Sequence, residues 1–260
     1  MDLGLKDKAV LVTGGSEGIG KATAWRFAQE KARVVICARR QSVLDQAAAD
    51  IRRDTGGDVF HILADVTKPE QIKIMMDQIA KKYGRLDVLV NNAGVAAGKP
   101  FDKVTDDDWY ADLNLKFMAA VRCSRLAIPL MQAGGGGRII NVTHVGGKAP
   151  GGKSVPSSVS RAAGIALTKA MSKDFARDNI LVNTVCVGTL KAAQHERFHK
   201  QQGSPLTLEQ WYAEMGKNVP MGRVGESHEA GDVIVFLASS MASYVTGASI
   251  NVDGGAGATV

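Results

Sequence analysis

Only three cysteines occur in the 260 residues, Cys37, Cys123 and Cys186, far apart and odd in number. That spacing excludes a disulfide framework and the ligand knuckle of a structural zinc site, leaving the thiols as small core residues. No apolar run is long enough to span a bilayer. The opening MDLGLKDK lacks the pattern of a signal peptide, so a cytoplasmic protein that does not engage a membrane is expected. Nothing resembles a nucleic-acid module, and no repeat or linker-like shift in composition divides the chain. Tyrosine is missing from the whole central stretch: the four are Tyr83, Tyr110, Tyr212 and Tyr244.

What is present points to one large α/β domain over residues 1–260. Hydrophobic residues make up 45% of the chain, typical of a globular protein. The net charge of +6 comes from spread basic residues, which suits solubility and is compatible with an anionic small-molecule substrate. Short valine-rich runs at 9–14, 33–38, 59–63, 86–90, 138–143, 180–187 and 248–252 read as buried strands. Between them, helices are expected over 18–30, 42–54 (Ser42 as N-cap), 69–83 (Pro69 at its start), 106–132 (bent near Pro129), 157–177 and 226–239. Residues 189–219 are polar and irregular with helical pieces. Strands alternating with helices imply a Rossmann-type parallel sheet, doubly wound and covered on both faces.

Thr13-Gly14-Gly15-Ser16-Glu17-Gly18-Ile19-Gly20 lies between the first strand and the first helix. Glycines there let the backbone approach a pyrophosphate resting on the helix N-terminus. The pattern TGxxxGIG is followed by NNAG at 91–94, Asn114 in the next helix, VNTVCVG at 182–188 and NVDGG near the C-terminus. In that order and spacing, these marks resemble the short-chain dehydrogenase/reductase family over nearly the whole chain. The resemblance implies a seven-stranded sheet, a nicotinamide cofactor, a mobile substrate lid at about 189–220, and a homo-oligomer, tetramer or dimer. It also implies adenine flanked by Asp65 and Val66, nicotinamide lined by Asn91, Asn92, Ala93 and Gly94, and Val187, Gly188 and Thr189 over nicotinamide and phosphates.

At the end of the second strand a carboxylate would hold ribose hydroxyls and favour NAD(H). The sequence there reads Ala38-Arg39-Arg40, and a guanidinium suits a 2′-phosphate. Against this, Glu17 would repel a phosphate if it pointed inward. The balance favours NADP(H) over NAD(H).

The resemblance also assigns a proton-transfer centre: a helix asparagine, a serine, a tyrosine thirteen residues later and a lysine four beyond. Carried onto this chain, these positions hold Asn114, His144, Ser157 and Arg161. A serine hydroxyl is a far weaker acid than a phenol of pKa about 10. Arginine stays protonated but can stabilise an anion. His144, with an unperturbed pKa near neutrality, is the candidate acid or base. His195 and His199, four apart, have metal-sharing spacing but no evident third ligand, and no metal is expected. Trp211, Tyr212 and Met215 either line a substrate pocket or pack the lid.

The reading adopted is an atypical oxidoreductase moving hydride to or from a small carbonyl, alcohol or conjugated enoyl compound. A non-redox lyase, dehalogenase or hydrolase is the alternative, as is a cofactor-binding protein without turnover.

Overall fold

The computed structural model describes residues 2–259. Seven strands form one parallel sheet in the order β3-β2-β1-β4-β5-β6-β7. They are β1 (Ala9–Thr13), β2 (Arg33–Ala38), β3 (Val59–Leu63), β4 (Val88–Asn91), β5 (Gly137–His144), β6 (Ile180–Val187) and β7 (Ser249–Val252). The order reverses between β1 and β4, and the crevice at the C-terminal strand ends there is where open sheets of this kind bind ligands.

The apolar runs alternate between two cores. Val10, Val12, Val34, Ile36, Val88 and Val90 face one side, with α1 (Gly18–Gln29), α2 (Gln41–Thr55) and α9 (Ser227–Ala238). Leu11, Val35, Cys37 and Leu89 face the other, with α3 (Pro69–Tyr83), α5 (Ala119–Ala133) and the Met171 side of α6 (Ser157–Asp174). Each such aliphatic side chain contributes about 1.5–3 kcal/mol when buried. The three cysteines are buried and free.

Two local expectations are corrected. Helix α2 begins one residue before Ser42; its N-cap is Arg40, extended and without a side-chain cap bond. The long helix is not one continuous α-helix, and Pro129 sits inside its second part, α5. It is broken earlier, where α4 (Asp106–Leu113) passes through a π-turn, Asn114–Met118, into α5. A π-turn re-aims the side chains that follow it, and such turns recur at functional sites. The polar stretch before α9 contains α7 (Ala193–Gln202) and α8 (Leu208–Gly216). Among the described residues no helix is long and apolar enough to cross a membrane.

Candidate active site

A cavity of about 930 Å³ runs along the C-terminal strand ends from Arg39 and Arg40 to His144, Ser157 and Arg161. Its first wall is the loop between β1 and α1. Gly14 has φ +65°, which a side chain would strain. A Cβ on Gly20 would lie 2.2 Å from the Gly14 carbonyl oxygen and 2.5 Å from Asn92 Nδ2, so the helix start has no room for one. Asn92 fixes this turn by donating to the carbonyls of Thr13 (2.9 Å) and Gly14 (3.2 Å). Thr13 Oγ1 accepts from the backbone N–H groups of Asn92 and Ala93, stitching the ends of β1 and β4 together.

Glu17, on the cavity wall, does not stand unpaired. Arg40 binds its carboxylate, and Arg197 of α7 donates to the same group at 3.1 Å. The carboxylate is thus neutralised, and the Arg39, Arg40 and Arg197 end of the cavity keeps a positive balance.

At the opposite end, β5 delivers His144 as its last residue. The Gly146 N–H donates to His144 Nδ1 at 2.9 Å. The neutral ring must then carry its proton on Nε2. Crowding of the ring by surrounding protein, and then the Arg161 charge, hold its pKa below the ordinary value. His144 is therefore a neutral donor near pH 7, comparable in type to a polarising imidazole.

Ser157 and Arg161 lie one turn apart at the start of α6. Arg161 donates to the Val142 carbonyl at 3.0 Å, and burial lowers its pKa. Ser157 Oγ accepts from the Ala97 N–H at 3.0 Å and lies 2.6 Å from Lys116 Nζ. Lys116 leaves the π-turn, pairs with Asp112 one turn back, and is only 4% exposed, against 2% for Asp112. Burial pushes the Lys116 pKa down to about 8, with Arg161 acting in the same direction and Asp112 opposing. Ser160 Oγ donates to the other Asp112 oxygen at 2.6 Å.

The family description "Enoyl-(Acyl carrier protein) reductase" matches residues 14–257. The chain belongs to the short-chain dehydrogenase/reductase family. It is 34% identical over 252 residues to the 3-oxoacyl-[acyl-carrier-protein] reductase FabG of Thermotoga maritima, covering 96% of this chain and 98% of the relative. To the 3alpha-hydroxysteroid dehydrogenase of Mediterraneibacter gnavus it is 32% identical over 256 residues, covering 97% and 98%. Among solved structures, the L-sorbose reductase of Gluconobacter frateurii, complexed with NADPH and L-sorbose, superposes with a TM-score of 0.95 at 30% identity over 100% of both chains.

In this short-chain dehydrogenase/reductase the residues expected at the site come together, with three exceptions, of which Asn91 is one: it lies outside the lining and its side chain donates to Asn141 Oδ1 at 2.9 Å. Gly14, Ser16, Glu17, Gly18, Ile19, Gly20, Arg39, Arg40, Val66, Asn92, Ala93, Gly94, Val187, Gly188 and Thr189 line the cavity with His144, Ser157 and Arg161. Asp65 lies outside the lining, its carboxylate turned back onto the Thr67 N–H (2.9 Å) and hydroxyl (2.8 Å). Asn114 also lies outside; its side chain donates to the Thr67 carbonyl (3.3 Å) and accepts from Arg122 (2.5 Å).

No tyrosine stands among the lining residues. Tyr212 and Trp211 of α8 pack with His195 of α7, and of Trp211, Tyr212 and Met215 only Met215 lines the cavity. His195 Nδ1 meets the Leu190 carbonyl and His199 Nε2 that of Leu206, each at 2.9 Å, so the pair does not converge on a metal. Among the described residues no cluster of three or more candidate ligands occurs.

Lys116 and Asp112 are what the sequence reading missed. Their i, i+4 spacing was the available signal, but on a helix that spacing ordinarily marks an exposed ion pair.

Proposed function

We propose that this chain is an NADP(H)-dependent oxidoreductase that reduces a small carbonyl or conjugated enoyl compound, or oxidises the corresponding alcohol. One observation carries the reading: a single cavity joins a glycine cradle and an arginine-rich end to a cluster of hydrogen-bond donors. NADPH complexes among similar structures support the cofactor.

The residues fit a dinucleotide phosphate. Gly14, Gly18 and Gly20 line the cavity at the start of α1, where a pyrophosphate would rest on the helix N-terminus. Arg39 and Arg40 would hold the 2′-phosphate, with Arg197 of the lid beside them and Glu17 already paired. A reduced nicotinamide, when bound, supplies the hydride.

The protein's own groups then act on the substrate oxygen. His144 Nε2–H donates to it and stabilises the charge that develops there. The Ser157 hydroxyl supplies the proton, and the Arg161 guanidinium lowers the cost of negative charge nearby. This acid–base set departs from the tyrosine–lysine pair that the family resemblance implies. Exposed Phe236, Met241 and Tyr244, near the edge strand β7, support a homo-oligomer.

The test is calorimetric titration with NADPH and, separately, NADH. Micromolar binding, tighter for NADPH, is expected. Absence of binding by both would overturn the redox reading.

A further inference from the structure

Ser157 alone is too weak an acid to protonate an alkoxide, so the proton it gives must be replaced as it leaves. Lys116 is placed to replace it. Its ammonium stands 2.6 Å from Ser157 Oγ but does not line the large cavity, so the serine hydroxyl separates it from any ligand there. Behind it, a second cavity of about 20 Å³ is lined by Lys116, Ser160, Arg161, Asn141 and Thr143. Its lining is mixed, with Val66, Leu115 and Val142 beside those polar groups, and it has room for one water that they could hold.

We infer that Ser157, Lys116 and Asp112 form a buried proton relay, in which a lysine on the π-turn, rather than one on α6, recharges the acid that touches the substrate. The inference rests on the redox reading above.

In the reducing direction, the substrate alkoxide takes the proton of Ser157, whose O–H electron pair stays on Oγ. Oγ takes a proton from Lys116, whose N–H pair becomes the amine lone pair. The net change is alkoxide to alcohol and ammonium to amine; solvent returns the proton through the small cavity. Oxidation runs the same steps backwards. The Ala97 N–H bond to Oγ stabilises the partial negative charge during the exchange.

The surrounding charges suit a proton that must be held and then released. Asp112 on the same helix favours the ammonium, while Arg161 from α6 disfavours it. His144, across at the end of β5, feels the same two cations and stays neutral. Arg161 cannot take the role itself, because a guanidinium does not give up its proton. Lys116 is a positioning and proton-supplying residue; Ser157 is the catalytic one.

The test has a readout that needs neither cofactor nor substrate. Lysine 13Cε and 15Nζ shifts are followed against pH in the whole protein, with Lys116 assigned by its loss in Lys116→Arg. Titration near pH 8, moving lower in Asp112→Asn, is expected; titration at the ordinary lysine value overturns the relay.

The second arm measures NADPH-dependent reduction of 2,3-butanedione from about pH 6 to 10. Turnover should fall above about pH 8 in the wild type. Lys116→Met should lose about 100-fold and the alkaline limb with it, within the usual range for an acid–base group. Lys116→Arg, which keeps charge but cannot release a proton, should not rescue. Rescue by arginine would overturn the relay and leave an electrostatic role. NADPH affinity by fluorescence separates the two readings. If the wild type binds no NADPH, the functional reading fails while the shift titration still decides whether Lys116 is the tuned acid.

Discussion

Replacing Asp112 by asparagine removes the one carboxylate that holds the buried Lys116 ammonium, and the size of the loss should depend on pH. With Lys116 at a pKa of about 8, the charged form is favoured at pH 7 by about 1.4 kcal/mol. Withdrawing the carboxylate charge therefore costs about that much before the amine sheds its proton instead. The contacts from Lys116 and Ser160 to Asp112 contribute about 0.5–1.5 kcal/mol each. The expected destabilisation at pH 7 is about 2–4 kcal/mol, below the 3–5 kcal/mol typical when a buried ion stays charged and unpaired. The sign with pH follows from the direction of the shift. Folding lowers the Lys116 pKa from 10.5, so the unfolded chain holds this proton more tightly. In the wild type, stability from this group rises with pH between about 8 and 10.5. In the variant the amine is already neutral near pH 7, so the rise starts earlier. At about pH 9.5 both folded states carry a neutral amine, and the penalty should shrink by about 1.4 kcal/mol. Urea unfolding at the two pH values, with unchanged m, measures this. An equal penalty at both would refute the tuned ammonium and reduce Asp112 to a packing role.

Gly20→Ala places a methyl 2.2 Å from the Gly14 carbonyl, so the loop must move; NADPH affinity by calorimetry should fall at least about 100-fold, or ~2.7 kcal/mol, and unchanged affinity would place the phosphate elsewhere. Arg39→Ala with Arg40→Ala also leaves Glu17 less neutralised, so NADPH should bind at least about 10-fold more weakly, ~1.4 kcal/mol, with NADH affected only slightly; equal losses for both would remove the 2′-phosphate contact. His144→Ala should abolish turnover while NADPH affinity stays within a few-fold, as about 10²–10³ in rate is typical for one lost oxyanion donor; wild-type turnover in that variant would exclude His144 from the chemistry.

The fold was legible because it is written in short apolar runs whose neighbours in the chain become neighbours in the sheet. The run at 9–14, with Val10 and Val12 on one face and Leu11 on the other, needs both faces covered, and only helices between strands supply that. The glycine loop was legible for the same reason: its meaning depends on the strand before it and the helix after it. The failures share a cause. Ser42 yielded to Arg40 because a helix start is set by where the chain leaves the strand, not by the best capping residue nearby. The break in the long helix at Asn114–Met118 went unread, because a π-turn has no composition of its own. Lys116 was unreadable because its importance comes from burial against α6, a contact between residues 41 apart. Glu17 was half-legible: its charge could be read, but not Arg197 of α7, 180 residues away, that joins Arg40 in cancelling it.

The amide of Asn92 has a consequence beyond stitching two strands. Peptide oxygens and peptide hydrogens occur in equal number along any loop, and a loop that shows both to an anion attracts and repels it at once. By donating to the Thr13 and Gly14 oxygens, Asn92 offsets electron-rich atoms that would otherwise act unopposed on an anion in the crevice. That residue stands just past the end of β4, so the charge balance of the loop is set in part from outside the loop itself.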